Sequence, residues 1–291
     1  MTKPAVAGRT VIAPPADAAP VPKVVPVRHW GRGIGAAVVL LLVAGAVKGV
    51  ATNDNLEWSV VGDYLFDANV LRGLRLTLAM TALGMVAGLV LAVVVGVMRT
   101  SASRIVAGAA AVWVFVFRGI PLVVLLIFVG NLGLFFDNLT IAIPLTGVEL
   151  WSAPVSEVVT PFWASVTALA LAGSGYMAEV VRAGLLSVGR GQHEAAMALG
   201  LPQVGTLRYI VLPQALRVII PPLGNELIGM LKASAIVSVI AGGDLMTAVL
   251  GISGVTFRTI EMLIVGTIWY LTVIAVLSVG QYFLERKAAE K

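Results

Sequence analysis

Three stretches of this sequence carry no charged residue: Leu76 to Met98, Val158 to Ala178, and Met262 to Leu284. Each is long enough to cross a bilayer, since a helix rising about 1.5 Å per residue needs about 20 residues to traverse hydrocarbon roughly 30 Å thick. Lipid offers no hydrogen bonds to a backbone, so runs of this length and apolarity fold as helices with their amides satisfied internally. Composition agrees, at 59% hydrophobic residues, 12% charged residues and a mean hydropathy of +0.98. Gly33 to Asn53 makes a fourth span if Lys48 lies near its end and extends its amine to the headgroups. Ile105 to Phe136 is too long for one straight crossing and contains Arg118 and Pro121, which predicts an interfacial piece followed by a kinked span. Val218 to Gly243 crosses despite Glu226 and Lys232. The expectation is an all-α membrane protein with six transmembrane helices.

Six crossings place both termini on one side of the membrane. With the N-terminus cytoplasmic, the inner segments collect Lys3, Arg9, Lys23, Arg28, Arg32, Arg99, Arg104, Arg182, Arg190, Arg208, Arg217, Arg286, Lys287 and Lys291, the majority of the 20 basic residues. The outer segments receive Asp54, Glu57, Asp63, Asp67, Asp137, Glu149, Glu157 and Asp244, with Arg72, Arg75 and Arg258 as exceptions. The positive-inside rule therefore orients both termini to the cytoplasm of a multi-pass protein. Residues 1–28 contain Pro4, Pro14, Pro15, Pro20, Pro22 and Pro26 among small apolar residues and read as a disordered, proline-rich cytoplasmic tail. A signal peptide fits less well, because the apolar span begins only near Gly33 and no cleavage site precedes it. Residues 29–291 then form one membrane domain.

Several function classes fall away. With no cysteine, thiolate metal sites and cysteine nucleophiles are excluded, and the isolated His29 and His193 do not form a metal-ligand cluster. The net charge of +5 and pI near 9.7 follow from topology rather than from nucleic-acid binding. Neither a Gly-x-Ser-x-Gly nucleophile turn nor a Gly-x-x-x-x-Gly-Lys-Ser/Thr phosphate loop occurs, so ATP chemistry belongs to another polypeptide.

The densest signal lies between the third secure span and its predecessor, from Ala178 to Ile240. Gln192 to Leu199 suits a short helix, Gly200 a left-handed cap, and Pro202 follows where that helix has stopped. A second short helix, Gln203 to Val211, is predicted to end before Pro213. A helix-turn-helix over about residues 185–214 results, cytoplasmic under the orientation above. Tethered at both ends to bilayer crossings, it is ill suited to follow a DNA groove and better suited to docking on a protein.

The sequence Glu194-Ala195-Ala196, then Gly200, then Ile210 and Leu212-Pro213, resembles the EAA loop of ABC importer permeases. Its flanks, Arg118-Gly119-Ile120-Pro121-Leu122, Ala178-Glu179-Val180-Val181-Arg182, Gly191-Gln192 and Gly224-Asn225-Glu226 with Lys232, look like the histidine, glutamine and glutamate permease branch. The resemblance covers roughly Leu71 to the C-terminus. It departs at Lys232-Ala233-Ser234-Ala235-Ile236, where the branch usually has an acid and a threonine after the lysine. The resemblance implies a type I ABC importer permease-like core of five helices, here with one N-terminal helix added, in a bacterial cell membrane. It further implies a transport subunit for polar amino acids, without enzymatic activity or a bound cofactor of its own. Its implied partners are a cytoplasmic ATPase dimer holding ATP and Mg, a second permease subunit, the same or homologous, and an extracytoplasmic amino-acid-binding protein. By the same resemblance Glu194, Ala195, Ala196, Gly200 and Leu201 couple to the ATPase.

For the substrate pathway, ionisable groups at membrane depth are expensive and face protein or water. Arg118, Asn225, Glu226 and Lys232, with Ser234 in the segment that follows, are the candidates. Asn225 and Lys232 fall on nearly the same helical face, whereas Glu226 is rotated by about 100° and is not required in a shared cavity. Structural ion pairs and helix capping explain Glu226 and Lys232 equally well, and Arg118 can hold the kink at Pro121. Glu179 and Arg182, three apart, form a local gate or structural brace. A proton-coupled secondary carrier using Glu226 is the competing reading, but such a protein has no use for the EAA loop.

Overall fold

The computed structural model describes residues 30–143, 146 and 148–289, so the tail predicted at residues 1–28 lies outside the described residues. The chain divides into two compact units, Met1–Asn55 and Leu56–Lys291. In the first, α1 (Trp30–Ala51) covers the span expected from Gly33, with Lys48 in its last turn.

The second unit opens with α2 (Trp58–Leu65), a short helix before α3 (Ala68–Arg99). Asp67 starts α3, its carboxylate accepting from the backbone N–H of Asn69 at 2.8 Å and of Val70 at 3.4 Å. The principal pairing is between α3 and a later helix, Pro161–Leu186. Thr160 caps this later helix and Pro161 occupies its first turn, where a missing N–H costs nothing. The two pack closely because the buried stripe of α3 is small: Gly84, Gly88, Ala92 and Gly96. A Cβ on Gly88 would lie 2.9 Å from the Ala170 carbonyl, and one on Gly96 2.9 Å from that of Ala178. Lipid tails supply no hydrophobic drive between helices, so this backbone approach, and the dispersion it permits, holds the pair. Met80, Leu126, Leu169 and Met177 fill the remaining core.

Between these helices lie α4 (Arg104–Gly119) and α5 (Leu122–Gly130), meeting at 98°. The break falls where Pro121 pushes Ile120 out of the helical region, to φ −76° and ψ 124°. After α5 comes an element the sequence did not announce, an antiparallel hairpin of β1 (Asn138–Ala142) and β2 (Glu149–Pro154). Thr140 pairs with Ser152 in register, their hydroxyls 3.0 Å apart. α6 (Val155–Val158) returns the chain to the long helix already described, which is α7 (Pro161–Leu186).

On the other side of α7 follow α8 (Arg190–Ala198) and α9 (Gln203–Thr206). The predicted stop before Pro213 does not occur. Leu207–Val211 widens into a π-helical turn and runs without a break into α10 (Leu212–Ala233). Pro213 lacks the N–H that would bond four residues back, and the wider turn just ahead of it absorbs that loss. α10 also tolerates Pro221 and Pro222 in its interior, then tightens into a 3₁₀ segment over Ser234–Ile240. Ala241 and Gly243 both have positive φ and turn the chain. Asp244 is fully buried and caps α11 (Leu245–Thr256) through the Met246 and Thr247 N–H groups. α12 (Thr259–Ala289) closes the unit. Among the described residues, five helices are long and apolar enough to cross a membrane, six with the bent α4–α5 pair counted as one. The helical architecture agrees with the expectation, the hairpin being the local addition.

Candidate docking loop and membrane-embedded pocket

The loop between α7 and α10 is built around Gly200. Its φ of +73° is a left-handed conformation, and open space surrounds it, so backbone geometry rather than crowding calls for glycine. The Gly200 N–H donates to the Met197 carbonyl at 2.9 Å and the Leu201 N–H to that of Ala196 at 3.0 Å. These two bonds form the Schellman closure of α8. Glu194, Ala195 and Gly200 are exposed and Leu201 is half-buried. Ala196 is fully buried on the inner face of α8. The loop exposes large apolar side chains, with Leu199 80% exposed, Val204 76%, Tyr209 68% and Met197 66%. Beneath the loop, a cavity of about 680 Å³ lies among Val97, Leu185, Val188, His193 and Leu207. Gln214 ties the loop to α10, its amide donating to the Ile210 carbonyl at 2.8 Å and to Gln192 Oε1 at 3.4 Å.

A second site, of about 410 Å³, lies where α4, α7 and α10 converge, lined by Arg118, Tyr176, Glu179, Arg182, Pro222 and Glu226. Gly175 makes room for it, since a Cβ there would lie 3.0 Å from Arg118 Cγ. One turn away Trp113 donates its indole N–H to Ser174 Oγ at 3.0 Å, fixing α4 against α7. The Arg118 guanidinium stands 5.0 Å from the centroid of the Tyr176 ring, a cation–π distance. Glu226 half-buries its carboxylate across the same cavity, and no ion pair joins it to Arg118 among the described residues. At the rim Glu179 accepts from Arg182 Nε at 2.8 Å and from Arg99 Nε at 3.2 Å, bridging α3 and α7. The pocket thus brings the Arg118 guanidinium and the Glu226 carboxylate to one cavity, with no salt bridge between them among the described residues, beside a cluster in which two arginines share one carboxylate.

The pocket brings together two of the pathway candidates, Arg118 and Glu226, although the helical spacing did not require Glu226 in a cavity shared with Asn225. Asn225 and Lys232 do share an exposed face of α10, but neither lines the pocket; Asn225 Oδ1 accepts from Gln281 of α12 at 3.1 Å. Ser234 does not line the pocket: it is fully buried and its hydroxyl donates to the Leu231 carbonyl at 2.6 Å. Tyr176, Arg99 and Gln281 were missed. Tyr176 sits three residues before Glu179 on the same face of α7, a spacing that was available in the sequence, but its pairing with Arg118 depends on how α4 crosses α7.

The sequence matches the family described as binding-protein-dependent transport system inner membrane component over residues 84–290. It is 37% identical over 262 residues to the arginine transport system permease protein ArgU of Corynebacterium glutamicum, covering 90% of this chain and 81% of that protein. Identity to the glutamine transport system permease protein GlnP of Escherichia coli is 33% over 231 residues, with 79% of this chain and 97% of the relative covered. Among solved structures, an amino acid ABC transporter with histidines is similar at 35% identity and a TM-score of 0.63, over 75% of this chain and 94% of that one.

Proposed function

The chain belongs to the family of binding-protein-dependent transport system inner membrane components, and from that premise we propose that it is the permease subunit of an ATP-driven importer of polar amino acids. The observation that carries the reading is the loop at Gly200. A short capped helix, α8, and the segment after its Gly200 turn together expose Met197, Leu199, Val204 and Tyr209 between two membrane-crossing helices, and the second segment runs directly into α10. Bare apolar side chains on an aqueous loop call for a protein partner, and the continuity with α10 lets displacement of the loop reach the membrane. A cytoplasmic ATPase dimer carrying ATP and Mg is that partner. A second permease, identical or homologous, supplies the other loop, and an extracytoplasmic binding protein delivers substrate. Both termini face the cytoplasm of a bacterial cell membrane in this reading, surrounded by lipid. The secondary-carrier reading has no support in the family or its members.

Substrate passes through the pocket between α4, α7 and α10. A zwitterionic amino acid matches its two opposite charges, with the carboxylate toward Arg118 and an ammonium toward Glu226. Glu179, held by Arg99 and Arg182, braces the cytoplasmic mouth. The test is to purify the tagged protein from its own host in mild detergent. An ATPase with a phosphate loop is expected in stoichiometric yield from wild type and is expected to be lost from a Leu199→Asp, Val204→Asp double variant. A wild-type protein that purifies alone, well folded, and moves amino acid down a proton gradient without ATP would overturn the proposal.

A further inference from the structure

The arrangement of Gln281 points to a function outside the pocket that sets the pocket's geometry. Its amide Nε2 lies 3.1 Å from Asn225 Oδ1, 2.7 Å from Glu285 Oε1 and 3.5 Å from the Pro221 carbonyl. The aliphatic part of the side chain lies flat on Gly224, where a Cβ would come within 2.9 Å of both Gln281 Cγ and Cδ. Gln281 therefore holds α10 at three consecutive features: the proline pair, the glycine, and the asparagine. This is the part of α10 where the backbone is least able to hold itself, because Pro221 and Pro222 each remove one hydrogen bond of the helical ladder.

Asn225 and Glu226 are neighbours, so their side chains leave α10 about 100° apart. Once Asn225 is fixed against α12, the direction of Glu226 is fixed as well, and that direction is across the pocket toward Arg118. Among the described residues neither the Glu226 side chain nor the Arg118 guanidinium makes a hydrogen bond that would set this separation directly. We propose that Gln281 is a positioning residue for transport: by clasping Gly224 and Asn225 it sets the rotation of α10 at the proline pair, and so presents the Glu226 carboxylate to the substrate. The inference rests on the pocket being the substrate pathway. It assigns to Gly224-Asn225 a role as the seat of a clasp from α12, while Glu226 alone faces the ligand.

The experiment uses the complete transporter reconstituted in proteoliposomes, measuring uptake of a labelled amino acid together with ATP turnover. Gln281→Ala is expected to raise the KM for substrate about tenfold with kcat and ATP turnover nearly unchanged, the signature of lost binding rather than lost chemistry. Gly224→Ala, which leaves the amide intact but pushes it aside, is expected to give the same KM phenotype and covers the case in which Gln281→Ala fails to assemble. In a Glu226→Gln background, itself raised in KM, the Gln281 substitution is expected to have no further effect. If Glu226→Gln raises KM while Gln281→Ala and Gly224→Ala do not, the clasp is overturned and the pocket stands. A fall in kcat with KM unchanged would make Gln281 a purely structural residue and also overturn the proposal. If Glu226→Gln leaves KM at the wild-type value, the pocket reading itself falls and takes the clasp with it.

Discussion

At the scale of single residues, the loop and the pocket use opposite devices. Gly200 serves by lacking a side chain: its left-handed backbone costs any β-carbon about 1 kcal/mol, while asparagine visits that region more readily. Gly200→Ala is therefore expected to weaken ATPase association, and Gly200→Asn to retain most of it, in a pull-down titrated against the partner; equal loss in both would show that bulk, not conformation, matters there. Glu226 serves by its charge. Replacing it with Gln is expected to cut uptake most for substrates carrying an extra positive charge and least for acidic ones, read from a competition panel of labelled amino acids. Uptake left unchanged across the whole panel would remove Glu226 from direct contact with the substrate.

At the scale of elements, the α3–α7 pair is the rigid centre and α10 the element able to move. Gly88 faces the Ala170 carbonyl and Gly96 that of Ala178 at 2.9 Å for a notional Cβ, so neither position has room for a larger residue. Gly88→Leu is expected to force the helices apart and destabilise the fold by about 1–3 kcal/mol, visible as a lower midpoint in detergent thermal unfolding. Gly108, with nothing within 4 Å of a notional Cβ, provides the control, and Gly108→Leu is expected to leave the midpoint unchanged. α10, by contrast, contains a π turn, two interior prolines and a terminal 3₁₀ segment in one helical run. Each weakens the regular ladder, as the proposed transmission of motion from the loop to the pocket requires.

At the scale of the whole molecule, membrane orientation decides which side of the membrane the loop faces and which side the hairpin faces. Because the sequence contains no cysteine, any single cysteine introduced is a unique label. A cysteine at Ser152, on the hairpin, is expected to react with a membrane-impermeant maleimide in intact cells or spheroplasts, and one at Gln203, in the loop, only after lysis. The reverse pattern would invert the topology and remove the loop from the ATPase side.

Much of this protein was readable in one dimension. The spans, the helical class, the break at Pro121 and the turn at Gly200 follow from local quantities: the free energy of putting residues into lipid, and the φ that a residue type allows. A hairpin at residues 138–154 was not legible, since two short strands between long apolar runs leave no periodicity strong enough to stand out. Nor was it legible that Leu207–Val211 would carry the second loop helix through Pro213. The pocket depended on azimuth. Whether Asn225 or Glu226 faces the cavity, whether Ser234 is buried, and whether Tyr176 lies beneath Arg118 are set by how α10 rotates against α7 and α12 and by how closely glycines let α4 approach. Helical spacing says which residues share a face but not what that face meets. That is decided by contacts between residues far apart in the chain, and only the packed bundle contains them.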